Sequence, residues 1–180
     1  MSKRPWALLL IVAGLLGCES LPHGTHAVHE HASSEDRAFV QYAASSNAYE
    51  IAAAELAQEK ASSDKTKALA AAILKDHNEA AEHLPEVATE LGFSLSSSLD
   101  AHDRAMLNDL SSKSGDEFDQ SYLHHQIGAH EQAIARFEKQ ILEGHHTAAR
   151  AFAQSHLPSL RAHLKMAREL HAASTQPASK

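Results

Sequence analysis

The apolar residues of this chain form one short unbroken run and then a series of periodic stripes. From Trp6 to Leu16 the chain is apolar, behind Lys3 and Arg4 and ahead of Gly17 and Cys18. That run is far shorter than the roughly 20 residues a membrane-spanning helix needs. A positive start, a short apolar stretch and a small residue before a cysteine fit a lipoprotein signal peptide over 1–17, with Cys18 acylated at the head of the mature chain. From Glu19 to Ser34 there is no apolar period, and Pro22 and Gly24 interrupt the segment, so 18–34 reads as a flexible tether between lipid and domain.

After Glu35 a helical period takes over. The alanine-rich stretch from Asp36 to Ser62, with Phe39, Ala43, Ala54 and Ala57 recurring, predicts a first helix. Ser63 and Asp64 are candidate N-caps of a second helix over 64–91, whose stripe runs Ala70, Ile73, His77, Ala81 and Leu84 and which Gly92 ends. A short helix over 100–112, carrying Met106, Leu107 and Leu110, sits in the long connection that follows. Ser114 and Glu117 have the spacing of a capping box and open a third helix. Its stripe is Leu123, Ile127, His130, Ile134, Phe137 and Ile141, and Gly144 closes it. Thr147 is expected to cap a fourth helix with Leu157, Leu160, Leu164, Ala167 and Leu170, and 173–180 reads as a disordered tail. Pro85 and Pro158 fall inside helices, where a proline costs about 3 kcal/mol, and a kink is expected at each.

A faint repeat pairs the helices, because Phe39-Val40-Gln41 and Glu59-Lys60 return 79 positions later as Phe118-Asp119-Gln120 and Glu138-Lys139. Two helical hairpins joined by a long connection make an all-α, ferritin-like four-helix bundle over 35–172, with the short extra helix in the connection.

Charge narrows the partners. Without Lys3 and Arg4, the 16 basic residues set against 23 acidic ones leave the mature chain at −9, which argues against nucleic acid and against adhesion to anionic lipid. The single cysteine is taken up by lipid, so the mature fold rests on packing without a disulfide. A diacyl anchor gives stable attachment. Glu19 after the cysteine, where Gram-negative inner-membrane lipoproteins usually carry aspartate, implies by that resemblance the outer membrane, periplasmic face. The 15 histidines would carry the mature charge from −9 to +6 on full protonation, so a pH-responsive surface is available.

His77, His130 and His163 fall on or beside the apolar stripes of three different long helices, and Glu50 lies midway along the first. Inward imidazoles and a carboxylate suit a transition metal such as zinc, copper or iron, and bundle cores commonly hold such sites. The same residues also fit buried groups that hydrogen-bond one another and fix helix register. A di-iron ferroxidase centre would need Glu-x-x-His motifs, but Leu74, Ile127 and Leu160 stand three residues before the histidines. His23, His26, His29 and His31 on the tether offer weak metal binding or a solvated spacer. His124-His125 and His145-His146 read as exposed pairs. No hydrolase, zinc-protease or phosphate-loop motif is present, and no enzyme is expected.

Phe39-Val40 through Ala54-Glu55-Leu56-Ala57, Ala70 through Asp76-His77, Phe118-Asp119-x-x-Tyr122-Leu123 with His130, and Leu157-Pro158-x-Leu160-x-x-His163-Leu164 resemble a bacterial outer-membrane protein family, domain of unknown function 4142. The resemblance covers about residues 36–171 and implies an exported ferritin-like helical bundle. Asp76, His77, Asp119, Tyr122, His130, Pro158 and His163 match its motifs without assigned roles. The expectation is a lipid-anchored binding or envelope-stress module with a metal held by core histidines. The alternatives are a purely structural or interaction protein and a metal-dependent oxidoreductase. Protein partners are not readable from the sequence.

Overall fold

The computed structural model describes residues 31–96 and 98–175, and among these the chain forms five α-helices and no strand. They are α1 (Ser34–Lys60), α2 (Asp64–Glu90), α3 (Ala101–Ser111), α4 (Gly115–Glu143) and α5 (Thr147–Thr175). The expected signal peptide and most of the tether, including Cys18, His23, His26 and His29, lie outside the described residues. None of the helices is long and apolar enough to cross a membrane.

α1 and α2 form one antiparallel hairpin and α4 and α5 the other, with α1 packed on α4 and α2 on α5. The connection from α2 to α4 must return along the bundle, and α3 within it lies against α1 and α4. This is the ferritin-like layout with one long crossover.

Local chemistry sets the helix ends. Gly92 takes φ +74°, and the amides of Gly92 and Phe93 reach back to the carbonyls of Thr89 and Ala88, so α2 stops in a left-handed turn that Phe93 covers by packing on the core. The capping box expected at Ser114 does not form, since Gly115 enters α4 at φ +60° and Ser114 makes no side-chain cap bond. A capping box occurs instead at Ser33, whose hydroxyl takes the Asp36 amide while the Asp36 carboxylate takes the Ser33 amide. Ser33 and Ser34 thus belong to the bundle and not to the tether. At the other end α5 continues to Thr175, three residues into the expected tail. Pro85 and Pro158 sit within unbroken helices.

Two acids clasp the hairpins together. Asp36, fully buried, accepts hydrogen bonds from the Gln140 side chain at 2.6 Å and from the His145 and His146 amides at 3.1 and 3.2 Å, tying α1 to the α4–α5 turn. Asp119 at the start of α4 accepts the Ser63 amide at 2.9 Å and lies 2.6 Å from the Ser62 hydroxyl, tying α4 to the α1–α2 turn. Gln140 at its buried position shows how α4 is turned. Gln126, Ala133 and Gln140 face inward, while Ile127, Ile134 and Ile141 of the expected stripe are only partly buried. Gln140 is held at its inward position by its bond to Asp36.

Burial opposes ionisation of Asp36, yet the donors on Gln140 and Ser33 hold its carboxyl at about 2, below the ordinary 3.8. A depressed carboxyl stabilises the fold above its unfolded pKa, and the contribution is lost as pH falls through the folded one. Asp36→Asn should therefore lose about 2 kcal/mol or more at neutral pH in urea titrations. The gap to wild type should narrow as pH falls from 3.8 toward 2, and a constant gap would show that the charge is not the source.

Candidate metal centre

Each long helix crosses the middle of the bundle with polar residues where its neighbours above and below are apolar. Asn47 and Glu50 come from α1, His77 from α2, Gln126 and His130 from α4, and His163 from α5, all buried. On one side lies a cluster built on Phe39, Leu84, Phe137 and Phe152, and on the other a cluster built on Tyr49, Ile73, Phe118 and Tyr122. Midway along each of the four helices the apolar periodicity is interrupted, and these central interruptions meet at one level.

His77, His130 and His163 each offer a ring nitrogen lying within 4.8 Å of the others. Their remaining nitrogens are occupied. The Asn47 amide nitrogen donates to the His77 carbonyl at 2.8 Å, which turns Asn47 Oδ1 to accept from His77 Nδ1, also at 2.8 Å. The Gln126 carbonyl lies 3.0 Å from His130 Nδ1, and Asp76 Oδ2 lies 3.2 Å from His163 Nε2. Such acceptors draw the N–H to their own side and leave the opposite nitrogen with its lone pair, as partners behind metal-bound imidazoles do. His77 Nε2, His130 Nε2 and His163 Nδ1 are the nitrogens left over. His77 Nε2 is buried with no hydrogen-bond partner among the described residues. His130 Nε2 and His163 Nδ1 face each other at 3.3 Å.

From Gln126 through His130 and His163 to Asp76 there are three polar contacts, and each needs a proton or a cation between its atoms. Two neutral imidazoles supply only two N–H groups. The chain is one positive charge short. Burial, reinforced by the neighbouring His163, pushes His130 down to about 3, and burial lowers His163 as well against the pull of Asp76. Burial, and the repulsion that a proton on His130 or His163 would add, drive His77 well below the ordinary 6.5. A third proton is therefore disfavoured near neutrality, and a cation bound by lone pairs fits the gap. The 3.3 Å separation suits two nitrogens each about 2.0–2.1 Å from one metal ion.

The expected residues are placed unequally. His77, His130 and His163 converge as expected. Glu50 does not stand among the converging nitrogens; its Oε1 lies 3.9 Å from His130 Nδ1, behind the ring. Burial raises the Glu50 carboxyl to about 8, against the Gln126 amide, so it is neutral at physiological pH. Asp76 is the carboxylate that acts on the triad. Asn47 and the Gln126 carbonyl were not singled out from the sequence. Asn47 carries no apolar signal, although its buried position follows the helical period through Ala43 and Glu50. Asp119, Tyr122 and Pro158 lie away from the triad: Asp119 clasps the turn, Tyr122 stacks on Phe118 at 5.9 Å, and Pro158 sits inside α5. His31 is exposed. His146, expected at the surface beside His145, is buried, and its Nδ1 accepts the Ala148 amide at the start of α5. His125 is half-buried, 3.9 Å from Asp109, while His124 is exposed.

The buried groups make opposite demands on pH. The lowered histidines support the metal-free fold fully above 6.5, and that support is lost as pH falls toward about 3 for His130. Glu50, raised from 4.5 to about 8, supports the fold below 4.5, and this support is gone once pH has risen through about 8. In chelator, Glu50→Gln should melt close to wild type near pH 4.5 and increasingly above it up to about pH 8. A melting difference independent of pH would show that Glu50 ionises freely in the fold.

Comparison with known proteins follows the fold. No curated protein matches the chain. A crystal structure of a DUF305 fragment from Deinococcus radiodurans superposes with a TM-score of 0.70 at 16% identity, covering 79% of this chain and 99% of that one. CopM in the Cu(I)-bound form superposes with a TM-score of 0.65 at 19% identity, covering 78% and 98%. At these identities the likeness is one of fold. The family described as Domain of unknown function (DUF4142) matches residues 21–170, and the chain belongs to that family.

Proposed function

We propose that this protein is a non-catalytic, transition-metal-binding module of the bacterial envelope, holding cuprous ion between His77, His130 and His163. The carrying observation is the proton shortfall along Gln126, His130, His163 and Asp76, beside the unpartnered nitrogen of His77. The residues would hold the ion as three neutral imidazoles, each oriented from behind by Asn47, Gln126 or Asp76. Bound copper would supply the missing positive charge. A monovalent ion suits this level of the bundle, because the cost of burying charge rises with its square and falls to about a quarter for one charge against two. Glu50 is neutral and Asp76 stands behind a ring, so no carboxylate among the ligand nitrogens offsets a second charge. CopM, which shares the fold, is known in a Cu(I)-bound form, in keeping with that choice.

Binding rather than catalysis is supported by space. The cavity beside His77 measures about 30 Å³, room for a water or an ion and not for an organic substrate. The signal-like segment ending at Cys18 supports anchoring by lipid in the outer membrane, facing the periplasm. The anchor would keep the bound ion at the envelope.

The protein should take up one Cu(I) per chain in competition with a chromogenic chelator, and its melting temperature should rise with the ion and fall back on chelation. His130→Leu should lose about 100-fold in affinity and the ion-dependent melting shift with it. Absence of stoichiometric uptake by wild type would overturn the metal reading, and a shift with zinc but not with Cu(I) would overturn the choice of metal. Cys18→Ala should abolish lipid labelling; unchanged labelling would overturn the anchor.

A further inference from the structure

The triad is sealed on most sides, which raises the question of how an ion reaches it. Asp76, which bonds His163 and is only partly buried, marks the side nearest solvent, a groove where α2 meets α5. On α2, Asp76, Glu79 and His83 follow one another at spacings of three and four, and on α5 His156, Ser159 and His163 do the same, so each set lines one helix face. His83 is exposed at the outer end, and its ring lies 5.8 Å from that of His156 across the groove. Phe152 lies under His156 at 4.5 Å and fixes its orientation. The Nε2 of His156 is buried without a hydrogen-bond partner among the described residues. His156 shares the cavity of about 30 Å³ with Asp76, Ser159 and His77, whose Nε2 is likewise unpartnered. Two imidazoles with unpartnered Nε2 atoms thus line one ion-sized space, one nearer solvent and one in the triad. The Asp76 side chain is 29% exposed, and Glu79 lies close enough to act on His156, so the mouth of the groove attracts cations.

Building on the metal reading above, we propose that His83 and His156 form a transfer site that captures cuprous ion at the surface and passes it inward to His77. His83 lies six positions after His77 on α2, about 9 Å of helix. Within that span the ion exchanges a bond to His156 Nε2 for one to His77 Nε2 while Asp76 faces it with a carboxylate. No electron or proton changes hands. A surface pair of imidazoles adds little to the final affinity, because the triad holds the ion in the end. Its effect falls on the rate.

The test follows Cu(I) passing from its coloured bicinchoninate complex to the purified mature-length chain by stopped-flow absorbance. His83→Ala and His156→Ala should each slow transfer about tenfold and leave the end-point within about twofold of wild type. His77→Ala should lower the end-point itself. His102→Ala, an exposed histidine on α3 away from the groove, should match wild type in both. Transfer at the wild-type rate in the His83 and His156 variants would overturn the route while leaving the triad intact. An end-point lost in those variants would make them ligands and overturn the transfer role, as would slowing by His102→Ala. A wild-type chain that takes up no Cu(I) would overturn the metal reading and the route with it.

Discussion

Between the Gln126 carbonyl and the Asp76 carboxylate stand two imidazoles and three contacts of 3.0 to 3.3 Å. Neutral imidazoles fill two of the three, whichever tautomers they take. Water cannot relieve the shortfall at His130, which is 1% exposed. A proton added to His130 would, but it would place an imidazolium where burial disfavours one. His77 then adds a third lone pair, turned to the same place by an Asn47 amide whose orientation its bond to the His77 carbonyl fixes. The centre of the bundle is built around one missing positive charge.

The rest of the fold keeps those nitrogens in register. Apolar clusters above and below the polar level hold each helix on both sides of its inward polar residues. Asp36 and Asp119 then lock each hairpin to the turn of the other, so that α1 and α4 cannot slide relative to their partners. Side chains on packed helices hold ligand geometry better than loops do. An apolar layer at the same level would pack without unpartnered nitrogens, and the polar layer therefore costs the metal-free chain stability. Binding an ion would reverse that cost and so link occupancy to stability.

Much of this was legible in the sequence. The helical periods and the three histidines on separate stripes identified the bundle and its converging imidazoles, because burial on four packed helices repeats regularly. Polar residues at core positions were harder to read. Glu50 reads as a ligand by its position in the first helix, but burial leaves it neutral and places it behind His130. Asn47 and the Gln126 carbonyl orient the rings through contacts between helices or through the backbone, and neither leaves a pattern in composition. Asp76 was visible as a motif position, while its bond to His163 on α5 depends on how α2 and α5 face each other. The turn of α4 was misread for the same reason, since Gln140 is buried by its bond to Asp36 and Ile141 is displaced outward. Ser114 failed as a cap because Gly115 adopts a left-handed conformation that spacing does not reveal.

X-ray absorption at the copper edge of the Cu(I)-loaded protein tests the central claim most directly, because it counts the ligands and identifies their atoms. The account predicts three nitrogen scatterers at about 2 Å with the outer-shell pattern of imidazole and no sulfur. A sulfur shell, which Met106 or Met166 would provide, or fewer than three imidazoles, would contradict it.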